Sequence, residues 1–234
     1  MDDASQRETS EYWRILYKEE RSAWTQKGVT KLLLKNKETI IAGKTNARVF
    51  IPLCGKAHEL KWFYDLGHRV VGVEFVEEAV RSYFTENDLP IEEATCPIIK
   101  CKILKTPDER LQVFICNIFD FKRECAGSFG IVWDRSGFAV MRLKDRARYA
   151  AVIKNLLAAD FSYGMWTKVY DSRGMALDEL EGPVSAGEFA LQEHFGDVVA
   201  KVVLVDSQVA QTAHFAPGRG PFTICLWHMT PELS

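Results

Sequence analysis

The stretch from Ala47 to Glu86 constrains the fold more than any other part of the chain. Ala47–Leu53 (ARVFIPL) is a short apolar run that closes on the turn Cys54-Gly55-Lys56. Ala57–Leu66 (AHELKWFYDL) carries Leu60, Phe63 and Tyr64 at helical spacing and stops at Gly67. Arg69–Glu74 (RVVGVE) is a valine-rich run ending on an acid, and Ala79–Glu86 returns to helical spacing. Two apolar strands separated by one helix can pair in parallel through a crossover, which a tight hairpin cannot provide. The order strand, turn, helix, strand, helix is the first half of a Rossmann-like domain.

The remaining chain extends this pattern. Gln112–Ile118 (QVFICNI), Phe129–Asp134 (FGIVWD) and Ser162–Tyr170 (SYGMWTKVY) read as further strands, with a long helix over Lys144–Ala158. Ser185–Glu188 has the form of a capping box opening a short helix that Gly196 stops. Val198–Val205 and Phe222–His228 read as a last pair of strands joined by a long loop over 206–221. Residues 88–107, punctuated by Pro90, Pro97 and Pro107, are irregular and have room for an edge hairpin. The expectation is an α/β fold: a Rossmann-like, seven-stranded, mostly parallel sheet with helices on both faces, the last pair making one strand antiparallel. A length of 234 residues suits one domain, 1–234.

Ahead of the first strand, residues 1–9 are polar and expected to be disordered. Trp13, Tyr17, Glu20 and Trp24 then share one stripe at 100° per residue, and Gly28 breaks the helix they define. Val29–Ile41 reads as a second helix ending at Gly43. An aromatic stripe on a lone helix usually packs into a core. Residues 1–43 have instead the open carboxyl edge of the sheet before them, and are expected to form a helical lid over it.

Several classes of function are excluded by composition. Net charge is −2 with both signs interspersed, so no basic face for nucleic acid is expected. The polar N-terminus lacks the apolar stretch of a secretory signal, and no apolar run is long enough to span a membrane. A soluble, cytoplasmic monomer is expected. The six cysteines form no CxxC and several lie in apolar runs, so reduced thiols are expected and no metal site. The five histidines show no metal-ligand spacing, and Asp134-Arg135-Ser136-Gly137-Phe138 is not a nucleophile elbow.

In a doubly wound sheet, ligands gather at the carboxyl ends of the strands near the topological switch. Those ends are Leu53-Cys54-Gly55, Glu74, Asn117-Ile118 and Asp134-Arg135. Glu74 follows Gly55 by the interval at which an acid accepts hydrogen bonds from both hydroxyls of a ribose; otherwise it is a solvated strand-end glutamate. The turn PLCGKAHEL holds one glycine where dinucleotide binders need G-x-G-x-x-G around a pyrophosphate. A ribose-bearing cofactor without phosphate fits such a turn, and S-adenosylmethionine is one, leaving as S-adenosylhomocysteine. Asn117 has the chemistry to bond an adenine edge and Ile118 to pack on its face, or Asn117 to cap locally. Arg135 can pair with the cofactor's carboxylate or an anionic acceptor, and is the candidate catalytic residue.

The run VFIPLCGKAHELKWFYDLGHRVVGVE resembles the thiopurine S-methyltransferase family. Pro52–Lys56 match its PLCGK turn, Lys61–Phe63 its K-W-F helix, Gly67–Glu74 its G-H-x-V-x-G-x-E strand, and Tyr83–Glu86 its F-F-T-E-like text. Ile118-Phe119-Asp120 and Trp133-Asp134-Arg135 match the later I-F-D and W-D-R signatures. The resemblance is dense over residues 47–135 and looser elsewhere. It implies S-methylation of small aromatic or heterocyclic thiols by S-adenosylmethionine. By motif, it assigns Leu53, Gly55, Glu74, Asn117, Ile118 and Arg135 to the cofactor, with Trp13, Tyr17 and Trp24 closing over it and Trp24 touching substrate. Asn117 stands where the family has a small serine, and Glu181-Gly182-Pro183-Val184 where it has a Pro-Pro-aromatic run. Arg219 is the candidate for the family's second substrate-side arginine, in the loop 206–221. The alternatives are a thiol, halide or oxyanion methyltransferase of the same fold, and a non-catalytic S-adenosylmethionine-binding protein. A nicotinamide-dependent oxidoreductase is disfavoured by the single-glycine turn.

Overall fold

A computed structural model describes residues 11–17, 28–171, 184–210 and 222–232. Its strands are β1 (Arg48–Ile51), β2 (Arg69–Glu74), β3 (Glu92–Thr95), β4 (Lys102–Lys105), β5 (Leu111–Ile115), β6 (Phe129–Arg135), β7 (Leu157–Val169), β8 (Lys201–Ala210) and β9 (Phe222–Thr230). All nine form one sheet in the order β3-β4-β5-β2-β1-β6-β7-β9-β8. The five central strands, β5-β2-β1-β6-β7, run parallel, and antiparallel pairs flank them at both edges.

The sheet therefore has nine strands rather than seven, and the two extra ones are the hairpin in the irregular 88–107 region. Its strands are only four residues each and half solvated, with Glu92 opposite Lys105. Such an edge carries little apolar periodicity and is marked mainly by cross-strand charge.

The central strands are apolar without interruption because both of their faces are covered. In β1, Phe50 faces one core with Val73, Phe114 and Val132, while Val49 and Ile51 face the other with Val70, Val113 and Ile131. The first face is covered by α8 (Leu143–Leu156) and α9 (Glu188–Phe195), which bury Tyr149, Ile153, Leu191 and Phe195. Helices α4 (Glu59–Asp65) and α5 (Glu77–Glu86) cover the second through Leu60, Phe63, Val80 and Phe84. Shorter pieces are α6 (Arg123–Ala126) and α7 (Gly137–Val140), together with a 3-10 turn over Ile118–Asp120.

Four local expectations are corrected. The second helix is two pieces, α2 (Lys31–Lys35) and α3 (Lys37–Ile41), broken at Asn36. The Asn36 amide donates to Leu32 O at 3.0 Å and to Asp206 Oδ2 on β8 at 2.9 Å. This segment is core rather than lid: Leu33 and Ile40 are fully buried, and Ser162 Oγ on β7 donates to Ile40 O at 2.7 Å. The capping box does not form, because Ser185 Oγ accepts from Tyr170 N–H at 3.1 Å and Gly187 stands at the N-cap of α9. Finally, β7 begins at Leu157, directly where α8 ends, since Leu157 pairs with Phe129. The helix before these, α1 (residues 11–17), bears Trp13 and Tyr17, both half-buried. Trp24, Glu20, residues 1–9, Arg219 and most of the 171–184 insert lie outside the described residues.

Candidate active site

The strand order reverses between β1 and β6: the chain steps outward from β1 to β2 and β5 on one side, and from β6 to β7 on the other. Helices on opposite faces diverge at that seam and leave a crevice at the carboxyl ends. The ends of β1, β2, β5 and β6 converge there.

At the end of β1 the backbone turns sharply, with Leu53 at φ +46° and Gly55 at φ +47°. A left-handed leucine is costly, and it persists here with its side chain packed against the core. Gly55 N–H donates to Glu74 Oε2 at 3.0 Å, and Cys54 N–H donates to Val73 O, also at 3.0 Å. The turn is thus fastened to the end of β2. A Cβ on Gly55 would lie 2.2 Å from the Tyr17 hydroxyl oxygen, so α1 comes down directly onto this turn. Only glycine allows both the backbone conformation and the approach.

Glu74 is buried and also accepts from Phe75 N–H at 2.8 Å and Val76 N–H at 2.9 Å, both at Oε1. Burial pushes its carboxyl above the usual range, and the three amides oppose that. A carboxylate has about four acceptor positions. Three of these are filled by backbone amides.

Asn117 ends the β5 segment with its Oδ1 accepting from Phe119 N–H at 3.0 Å, which caps the 3-10 turn. Ile118 is buried in the core beside Phe114 and Phe121. The local capping role considered for Asn117 is present, and its amide nitrogen is the atom left to meet a ligand.

Asp134 and Arg135 divide two tasks between them. Asp134 is fully buried; Oδ2 accepts from Tyr149 and Tyr163 hydroxyls at 2.8 and 3.0 Å, and Oδ1 from Gly137 N–H at 2.6 Å. Burial raises its carboxyl to about 6 against those bonds. It anchors the turn after β6, where Ser136 adopts φ +68°. Arg135 points across the crevice, its Nη1 4.0 Å from Glu59 Oε2.

Glu59 is the residue that sequence reading missed. It opens α4, is fully buried, and accepts at Oε1 from Thr30 N–H at 3.0 Å and Thr30 Oγ1 at 2.5 Å. Its Oε2 is buried without a hydrogen-bond partner. A glutamate in a first helical turn is ordinary for electrostatic reasons, so nothing local marked it. The ends of β1 and β2 thus bring Leu53, Gly55 and Glu74 together under Tyr17 of α1, and Arg135 at the end of β6 reaches across the seam toward Glu59 of α4. Among the described residues, no group of histidine, cysteine or acidic side chains is placed to hold a metal, and no helix is long and apolar enough to cross a membrane.

The arrangement fits a neutral sugar and a zwitterionic tail. An acceptor carboxylate, a close-approach glycine and the buried Glu59 lie on the β1 side of the seam, with the half-buried Arg135 guanidinium on the β6 side. The fold recurs among solved structures. The chain superposes on the Burkholderia thailandensis 1,6-didemethyltoxoflavin-N1-methyltransferase, solved with S-adenosylhomocysteine, with a TM-score of 0.63 over 99% of this chain and 91% of that one, at 16% identity. In sequence, it is 38% identical over 164 residues to thiopurine S-methyltransferase of Oryctolagus cuniculus, covering 70% of this chain and 67% of the relative. It is 35% identical over 160 residues to a probable thiopurine S-methyltransferase of Danio rerio, covering 68% and 69%. The profile of the thiopurine S-methyltransferase family matches residues 8–198. The chain belongs to the thiopurine S-methyltransferase family.

Proposed function

We propose that this protein transfers a methyl group from S-adenosylmethionine to the sulfur of small aromatic or heterocyclic thiols. The observation that carries the reading is the Gly55–Glu74 pair roofed by Tyr17: a strand-end carboxylate bonded to a single-glycine turn, with a helix closing on it. That turn holds a single glycine where a pyrophosphate-binding loop has three, and it suits a nucleoside that carries no phosphate.

When bound, S-adenosylmethionine supplies a methyl group made electrophilic by its sulfonium. The protein's part is to hold and to exclude water. Glu74 accepts a ribose hydroxyl at Oε2, and Ile118 with the Asn117 amide flanks the base. Arg135, held toward Glu59, takes the cofactor's carboxylate or the acceptor's developing thiolate. Asp134 is committed to its four donors and serves as an anchor, not as a base. Aromatic thiols ionise readily near neutral pH, so they need less general-base help than alcohols or amines. Rate then comes from alignment and from closure of α1 over the crevice.

Glu74→Ala is expected to weaken S-adenosylhomocysteine binding by about 1–3 kcal/mol, because three amides lose their acceptor along with the ribose. Calorimetry that returned wild-type affinity would remove Glu74 from the site. The acceptor is tested with methyl-labelled cofactor and a panel of aromatic thiols, thiopurines, halides and oxyanions. Labelled thioethers are the expected products. Product from halides or oxyanions alone would replace the thiol assignment, and cofactor binding without any product would make the protein a binding module.

A further inference from the structure

Lys168 is the one buried lysine among the described residues, 8% exposed near the carboxyl end of β7. Its ammonium lies over two rings, with Nζ 5.9 Å from the centre of Trp166 and 5.2 Å from that of Phe222. Withdrawing an ammonium from water is costly, and an apolar side chain would fill the same space without that cost. Packing alone therefore does not call for a lysine here. A ligand that brings negative charge does.

Sheet register places this lysine against the crevice. Arg135 is directly opposite Trp166 in the β6–β7 ladder. Alternate residues of a strand share a face, so Arg135, Trp166 and Lys168 project to the same side of the sheet. On β9, Leu226 stands opposite Trp166 and Ile224 opposite Lys168, and Phe222 follows on that face. β6 turns away at Ser136, whose N–H donates to Trp166 O at 3.0 Å. β7 and β9 continue past it as a pair, as far as Val169 and Thr223. This overhang makes a wall on the β7 side of the crevice, faced by Trp166, Lys168 and Phe222. It is held from behind. Thr167 Oγ1 donates to Ala186 O at 2.7 Å and accepts from Trp227 Nε1 at 2.8 Å, and Ala186 N–H donates to Lys168 O at 3.0 Å. The ammonium thus stands on a fixed element, which gives a recognition group its precision.

Gly55, Glu74 and Asn117 belong to the ends of β1, β2 and β5, so the cofactor features all lie on one side of Arg135. The other side is left to the second substrate, and its wall carries two aromatic rings and a cation. Two residues along a strand cover about 6.6 Å, so Lys168 is offset from Arg135 by roughly the length of one substituted benzene ring. We infer that Lys168 determines specificity in the acceptor subsite, which takes aromatic thiols bearing an anionic substituent. The acceptor ring lies along Trp166 and Phe222, with its sulfur on the Arg135 side. A carboxylate at the far end of the ring meets the Lys168 ammonium. No bond to Lys168 forms or breaks; its contribution is to binding and orientation. The inference rests on the thiol methylation proposed above and narrows its acceptor.

The test compares 4-mercaptobenzoate with 4-mercaptobenzamide, two thiols of one shape that differ in charge, using methyl-labelled cofactor and the full-length protein. The wild type should favour the carboxylate in kcat/KM by at least about tenfold, the scale of one charge-assisted hydrogen bond. In Lys168→Met that preference should vanish through a higher KM for the carboxylate, with kcat and both constants for the amide nearly unchanged. Lys168→Arg keeps the charge and should keep the preference. Affinity for S-adenosylhomocysteine should be the same in all three proteins. Equal kcat/KM for the two thiols in the wild type overturns the inference and leaves thiol methylation standing. That ratio needs no variant, so it decides even if Lys168→Met fails to fold. An equal loss on both thiols in Lys168→Met also overturns it, since the lysine would then only support β7. No product from either thiol removes the thiol assignment and this inference together.

Discussion

Gly55→Ala is expected to cut S-adenosylhomocysteine affinity by about ten- to a hundredfold, near 1.4 kcal/mol per decade, with a smaller loss of stability. Two causes act together. The residue sits at φ +47°, where a side chain costs about 1 kcal/mol or more. The new methyl group would also lie 2.2 Å from the Tyr17 hydroxyl oxygen and 3.4 Å from its ring carbon, so α1 must lift away from the turn. Glu74 Oε2, at 3.7 Å, is in ordinary contact and need not move. The backbone cost falls on folding and the steric cost falls on closure, which separates the two in experiment. Adding Tyr17→Phe to the alanine variant removes the nearest atom and should restore part of the affinity while leaving the stability loss in place. Wild-type affinity in Gly55→Ala would mean that α1 does not roof the crevice.

Asp134→Asn is expected to destabilise the protein by about 2–4 kcal/mol near neutral pH, because two buried donors lose their acceptor. Two tyrosine hydroxyls meet one carboxylate oxygen and two backbone amides meet the other. An amide has one oxygen, so its NH2 group must face two donors whichever way it is turned. The gap should also vary with pH. The folded-state pKa, raised by burial to about 6, lies above the ordinary 3.8. Asp134 therefore contributes a stability that is fully present below about pH 4 and lost as pH rises through about 6. The asparagine variant lacks that component, so the difference from wild type should shrink by about 2 kcal/mol between about pH 4.5 and about pH 7. Denaturant titrations of both proteins at the two pH values measure it. A difference that does not shrink between the two pH values would show that the carboxylate is ionised throughout.

The central strands were legible because each is an apolar run buried on both faces and the acid at Glu74 falls where the second one ends. The edge hairpin was not, because β3 and β4 are short, half solvated and recognisable mainly by their partner's charges. The break in the second helix depends on Asn36 meeting Asp206, which is distant in the chain, so no local pattern announces it. Leu156-Leu157-Ala158-Ala159 continues a helical run in sequence; the pairing of Leu157 with Phe129 turns it into strand. At the site, Gly55, Glu74 and Arg135 were marked by position at strand ends. Glu59 was hidden because its importance comes from burial against Thr30 and from its distance to Arg135, and neither is written in the helix that holds it.

The seam between β1 and β6 has a consequence for assembly of the chain. Val49 there pairs with Ile131, residues that the β2, β3–β4 and β5 segments separate. Loop closure over such a span must be completed before the pairing returns any free energy, and it is slow. A nascent chain thus cannot form its central strand contact until more than half of it has been synthesised. The crevice is created by that long-range join, so the proposed nucleoside cofactor acts on the assembled sheet, slowing its unfolding rather than guiding its early collapse.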